Sequence, residues 1–424
     1  MWEKLVQIFK VRDLRKNILY VLALLIVFRI AAHIPIPGVN VANLKDFFNS
    51  NQILGLINVF SGGAMANFSV VAMGVGPYIT ASIIFQLLIM IIPKLEELSK
   101  EPGGYQKINN WTRWVTVPLA ALQGYGMITI LMRQSSFKII TDLSPFNFIA
   151  TIITLTAGTI FLMWIGELIT EKKIGNGISL IIFAGIIDRV PAAIQRTIAI
   201  FDPAQLFNLI VFSLIAVVTI IVVVIINEGV RNVPVSYARH IRGNRMYGGV
   251  NTQLPLRVNM AGVIPIIFAI SLILFPPMIA NFFLHAKSQL LVKISEVTIS
   301  TFQNHLIYGI LYFIFVFGFT YFYTAVIFHP QQIAENLQKQ GGFIPGIRPG
   351  KHTEEYLGSV TNKIIFAGAL FLGLIAILPL VIQNFIGGLN LVIGGTSLLI
   401  VVSVVIETVK QIEAQMTMRE YEGL

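Results

Sequence analysis

Acid–base, metal and covalent chemistry need converging Asp, Glu, His, Cys or activated Ser side chains. This sequence gathers none. All twenty Asp and Glu lie in loops or at the ends of apolar runs, with Glu167, Asp188 and Glu407 nearest the interior. The six histidines (His33, His240, His285, His305, His329, His352) also fall in loops or near run boundaries, and cysteine is absent. There is no HExxH, no GxSxG and no P-loop lysine motif. Gly-x-Gly occurs at 74–76, 124–126 and 175–177, but that spacing is common, and in lipid small residues more often permit close helix packing. No enzyme, metal or cofactor is expected. Proton- and ion-coupled transporters usually carry ionisable groups inside their spans. Their lack counts against that class, although backbone carbonyls can also hold Na⁺.

The chemistry the sequence does carry is recognition. Residues 228–259 hold five arginines (Arg231, Arg239, Arg242, Arg245, Arg257), no lysine and one Glu. An all-Arg set suits bidentate binding of phosphate or carboxylate; it also serves as a signal of membrane topology. The stretch FIPGIRPGKHTEEYL stiffens a turn around Arg348 with prolines and glycines. Long, ordered, basic loops suit docking of a large partner.

These loops hang on a frame that belongs in lipid. Of 424 residues, 55% are apolar and only 12% charged, against about 25% charged in soluble domains, with a net charge of +10. Ten apolar runs are long enough to span: 17–34, 70–92, 114–133, 148–169, 178–198, 206–227, 260–282, 304–327, 363–382 and 391–409. The fifth is weakest, since its ten-residue run ISLIIFAGII meets Asp188 and Pro191. No cleavage pattern follows the first run, so the chain is expected to stay in the membrane through its own helices. Residues 1–16 mix Leu5, Ile8 and Phe9 with Lys4, Lys10, Arg12 and Arg15, the pattern of an interfacial amphipathic helix.

Ten spans put both termini on one side. That face holds 22 Lys and Arg and the other 7, with Arg29 inside the first span. The bias places both ends in the cytoplasm. Arg29 lies in the outer half of its span, where snorkelling or a pairing with a neighbouring helix accounts for it. Five spans per half would make the halves (17–205 and 206–424) inverted repeats if they share a fold. One segment fits no span: VFSGGAMANFS (59–69) is too greasy for a solvated loop and too short and glycine-rich to cross.

The blocks PIPGV (35–39), MGVGPYITASIIFQLL (73–88), KIGNGIS (173–179), LPLRVNMAGVIPIIFA (254–269), FIPGIRPG (343–350) and GGTSLLIVV (394–402) closely resemble those of the bacterial SecY family. Its members are channel subunits of the Sec protein-secretion translocon, and the resemblance runs from the first span to the tenth. It implies an all-α membrane protein: ten transmembrane helices as two inverted five-helix halves with a re-entrant plug helix. The implied function is passage of unfolded preproteins across the bacterial plasma membrane, with hydrophobic segments released sideways into the lipid bilayer. The plug would lie near 53–69, centred on Phe60, Ser61, Gly62, Gly63 and Ala64. Motif by motif, the pore ring would be Val75, Ile79, Ile178, Ile182, Ile267 and Ile400. Val75 departs from the isoleucine common at its position.

The resemblance further implies a lateral gate between 79–91 and 263–274, with Gln86 and Asn259 as polar positions near the seam. Loops 228–259 and 329–362 would dock the ribosome, through its RNA, or the SecA motor ATPase, by way of Arg239, Arg242, Arg245 and Arg348. SecE and SecG would be membrane partners. Energy would come from outside the chain. Two other readings stay open on the residues alone: a secondary transporter of a small solute with the same inverted architecture, and an intramembrane enzyme or lipid scramblase.

Overall fold

The structure is a computed structural model. It describes residues 11–41, 43–44, 61–133, 144–199, 206–237, 239–242, 245–248, 251–284, 287–385 and 395–422. Most of the expected N-terminal amphipathic helix and plug residues 53–60, Phe60 included, lie outside these.

The chain is mostly helical. In order come α1 (Arg12–Ala32), α2 (Gly76–Ile91), α3 (Pro93–Lys100), α4 (Gly104–Arg133), α5 (Pro145–Glu171), α6 (Gly177–Ile187), α7 (Arg189–Ala199) and α8 (Leu206–Glu228). Four strands follow: β1 (Val230–Tyr237), β2 (Arg239–Arg242), β3 (Arg245–Gly248) and β4 (Asn251–Arg257). Then come α9 (Ile264–Phe283), α10 (Gln289–Gln303), α11 (His305–Ile327), α12 (Pro330–Lys339), β5 (Gly342–Phe343), α13 (Lys351–Phe385) and α14 (Gly395–Glu422). Each apolar run overlaps one of these helices, and the fifth is split between α6 and α7. Among the described residues, four helical stretches are long and apolar enough to cross a bilayer: Pro145–Glu171, Leu206–Glu228, Leu306–Lys339 and Lys351–Leu378. A fifth results if α2 and α3, bent by 103°, count as one. That bend has a local cause: Pro93 opens α3 and holds Ile92 extended.

Lipid explains the surface. α8 buries only Thr219 and Val223, and turns Phe207, Ile210, Leu214, Val217, Ile221 and Ile225 outward. So much exposed apolar surface on one helix needs a hydrocarbon solvent. The buried face of the molecule is one large apolar cluster drawn from α1, α2, α5, α6, α8, α9, α11, α13 and α14. Helices before residue 205 meet those after it along two seams. α9 packs on α2 and α4 at one, and α14 packs on α6 at the other.

Two features lie outside the sequence expectation, and the first, a sheet, also departs from its all-helical fold class. The loops expected at 228–259 and 329–362 fold together as one body. β1 pairs antiparallel with β4 from Val230↔Arg257 to Ser236↔Asn251, and β5 adds on β1's other edge. Val233, Val235 and Leu256 of this sheet share a core with Leu337 of α12, Ile344 and Leu357 of α13. Apolar side chains alternate along 233–235, a short two-residue period that a scan for 20-residue runs passes over.

The second feature is α10, unforeseen in the sequence. It follows α9 and turns Ser295 inward, while Leu290, Ile294 and Val297 form an exposed stripe. Phe283 and Leu306 on the flanking helices are exposed too, and a helix with one apolar and one polar side suits an interface. Because the chain lacks cysteine, one introduced cysteine reports a single place. A nitroxide at I294C in a reconstituted bilayer is expected to be relaxed by dissolved oxygen more than by an aqueous nickel chelate, and one at E296C the reverse. Equal behaviour at the two sites would remove α10 from the interface.

Candidate functional site

Local backbone chemistry places each residue of the expected ring. Gly74, at φ +57°, turns the chain into α2. Val75 caps that helix, Pro77 sits in its first turn, and the Ile79 N–H donates to the Val75 carbonyl at 3.0 Å. The pair therefore lies one helical turn apart on one face. In KIGNGIS, the Asn176 side chain caps α6 by accepting from the N–H groups of Ile178 and Ser179. Gly177 is needed for another reason: a Cβ there would lie 1.8 Å from the Gly166 carbonyl oxygen of α5. The bare backbone lets α6 start against α5, which fixes Ile178 and Ile182. Gly262, at φ +63°, leads into α9 and Ile267. Ile400 follows the Gly395 start of α14.

All six residues thus sit at the start or within the first two turns of four separate helices. Val75, Ile79, Ile182, Ile267 and Ile400 belong to the large buried cluster, and Ile178 packs against it. Ile182 and Ile400 are 0% and 1% exposed. None of the six can donate or accept a side-chain hydrogen bond, and together they come from both sides of the two seams.

The described part of the expected plug is Ser61–Ser69. It forms consecutive turns rather than a helix, with Gly62 and Gly63 at φ +68° and +81°. Ser61 Oγ accepts from the Met65 N–H at 3.2 Å. The segment is clamped to the PIPGV turn: Ile36 N–H donates to the Phe68 carbonyl and Val70 N–H to the Ile34 carbonyl, at 2.9 and 3.0 Å. Ser61, Ala64, Met65, Phe68 and Ser69 are all buried. Irregular backbone at membrane depth is tolerable when protein covers it.

Arg29 is missing from the expected site, yet it touches this segment. Its Nη1 donates to the Gly62 carbonyl at 2.8 Å, and its Nη2 pairs with the Asp188 carboxylate at the end of α6. Of the two readings of Arg29 in the sequence, pairing is what the structure has. The sequence signal was there in part, since Arg29 and Asp188 stand out as charges near span interiors. What joins them is a contact between residues far apart in the chain. Glu167 is likewise paired, with Arg113 Nε of α4 at 2.6 Å.

The expected gate positions behave differently. α2 does pack on α9. Gln86, however, donates to Ser82 Oγ on its own helix at 3.0 Å. Asn259 donates to Asn227 Oδ1 of α8 at 2.8 Å, and Asn227 donates to Ser403 Oγ of α14 at 2.7 Å. Asn259 precedes the Gly262 turn and ties the approach to α9 onto Asn227 of α8, which in turn bonds α14, instead of reaching α2. The two gate residues do not bond each other.

Arg239, Arg242 and Arg245 lie on the antiparallel strands β2 and β3, where Arg242 and Arg245 are cross-strand neighbours. Arg348 is exposed in the turn before α13, and its carbonyl accepts from Thr353 Oγ1 at 2.9 Å. In α3, outside the spans, the Lys100 ammonium holds the Glu96 carboxyl below the usual range. Among the described residues, no group of three Asp, Glu or His is placed to hold a metal.

A family model described as SecY matches residues 69–409. The chain is similar to the protein translocase subunit SecY of Streptomyces galbus, 43% identical over 433 residues that cover 98% of each chain. A solved structure of SecY, described as one whose plug domain stabilises the closed state and maintains a membrane seal, superposes with a TM-score of 0.61. The identity is 19%, over 93% of this chain and 90% of that one. Sec61 in a canine ribosome–channel complex from the endoplasmic reticulum gives 0.57 at 17% identity, over 94% and 91%. The likenesses in structure establish the fold, and the matches in sequence establish the kinship: the chain belongs to the SecY family.

Proposed function

We propose that this chain is the pore-forming subunit of a bacterial Sec translocon, conducting unfolded preproteins across the plasma membrane and releasing apolar segments into lipid. The observation that supports the reading is that six aliphatic side chains, from four helices on both sides of the two seams, lie in or against one buried apolar cluster. A narrow apolar collar resists wetting, and ions cross only wet pores. Branched aliphatic side chains can part around a polypeptide of any sequence, because they offer it no specific contact. A transporter of a small polar solute would instead need polar groups at this depth.

The rest of the reading follows from this collar. Ten helices cross the membrane as two inverted halves, 17–205 and 206–424, with both termini cytoplasmic and residues 1–16 at the interface. The segment ending at Ser69 plugs the outer side; the plug domain of the SecY neighbour is described as stabilising the closed state and maintaining a membrane seal. The seam between α2 and α9 is the lateral gate. The basic body built on β1–β5 and α12 docks the SecA motor or the ribosome, and SecE and SecG complete the membrane complex. A contact to ribosomal RNA would weaken steeply with salt.

Replacing Ile182 and Ile400 together with Gly is expected to raise resting ion conductance in planar bilayers; unchanged conductance would count against the collar. Arg348→Glu is expected to lower motor- and ATP-dependent protection of a preprotein in vesicles by about an order of magnitude, as expected for a charge reversed at a docking surface, with normal membrane insertion. Full protection would remove Arg348 from the docking surface. Solute uptake by the same vesicles, with no preprotein protection at all, would favour the transporter.

A further inference from the structure

We propose that Arg29 is the latch that holds the plug segment shut, and that Asp188 and Gly185 position it. The inference rests on reading Ser61–Ser69 as the plug. Three elements meet at this point: the last turn of α1, the end of α6, and the Gly62–Gly63 turn. The guanidinium divides its fork between two acceptors, Nη1 on the Gly62 carbonyl at 2.8 Å and Nη2 on the Asp188 carboxylate. A planar fork can serve both at once, whereas a lysine ammonium has no such fixed geometry.

Close approach makes the bond possible. A Cβ on Gly185 would lie 2.1 Å from the Gly62 Cα, and a Cβ on Gly62 would lie 2.8 Å from the Phe28 ring. Gly62 also has φ +68°, which other residues rarely adopt. Bare backbone on both sides therefore brings the Gly62 carbonyl within reach of Arg29. A second guanidinium, that of Arg189, flanks Gly63: a Cβ there would lie 3.3 Å from its Nε and Nη2.

The division of labour makes the latch reversible. A buried charge left without a counter-charge is costly. When the segment leaves, Arg29 loses one carbonyl but keeps Asp188, so no isolated charge remains behind. Opening at this end then costs one charge-assisted hydrogen bond and some packing, beside the Ile36–Phe68 and Val70–Ile34 backbone bonds that hold the segment's other end. Asp188 also keeps the guanidinium aimed, so the bond can form again when the segment returns.

The test uses the full chain, reconstituted with its membrane partners, with M65C supplying its only thiol. Met65 is buried within the segment. A membrane-impermeant maleimide added to both faces reports how often the segment is released. R29Q is expected to speed labelling at position 65 roughly tenfold or more, the order implied by loss of a charge-assisted hydrogen bond, and R29K less. G185A leaves Arg29 intact but drives the backbones apart, and is expected to speed labelling as well. A369C, made without M65C, is the control: Ala369 is buried in α13, and a thiol there should stay slow in every variant. Unchanged labelling at position 65 in R29Q overturns the latch. So does faster labelling at both position 65 and position 369, which would mean general loosening. Faster labelling confined to position 65, with no rise in ion conductance, would leave the latch standing and overturn the plug reading instead.

Discussion

A pore wide enough for a polypeptide must hold no water when it is empty. The remaining features depend on that constraint. An apolar constriction meets it by dewetting, and the collar proposed here, six branched aliphatic side chains at helix starts, would supply one. The positions are set by backbone devices rather than by the side chains themselves. Asn176 caps α6, Gly177 lets that helix begin against Gly166, and Gly262 turns the chain into α9. A ring assembled from four helices can widen when the helices shift along their seams, because nothing polar ties its members together.

Polar contacts tie the helices of the molecule to one another. Arg113–Glu167 joins α4 to α5, and Asn259–Asn227–Ser403 joins the approach to α9 with α8 and α14. Gln415 of α14 donates to the Lys173 carbonyl at 2.6 Å, tying the last helix to the α5–α6 turn across the second seam. The first seam, between α2 and α9, has no counterpart at its two amides, Gln86 and Asn259, which bond elsewhere. One side of the molecule is therefore stitched by a hydrogen bond and the other rests on apolar contact at these positions.

Much of this could be read from the residues. Apolar runs located the helices because a span needs about twenty apolar residues in a row, and the i,i+4 pairs 75/79 and 178/182 were visible as spacing. Other features were not legible. The sheet of β1, β4 and β5 is built from alternation too short to stand out, and β5 reaches it from a second loop far along the chain. α10 hid in a loop because its apolar stripe is narrow. Arg29 stands out as a charge inside a span and Asn259 enters through the family resemblance as a gate position, but their partners are distant in sequence, at Gly62 and Asp188 and at Asn227. Such partners follow from packing, which sequence spacing does not encode.

The most direct measurement is site-specific photocrosslinking in vesicles carrying the assembled complex, with a preprotein stalled halfway across. A photoreactive side chain at Ile182 or Ile400 should capture the stalled chain, while the same group at Ile221, on the lipid-facing side of α8, should capture lipid alone. Capture at Ile221 with none at Ile182 and Ile400 would mean that the polypeptide travels by another route and that the apolar ring is only packing.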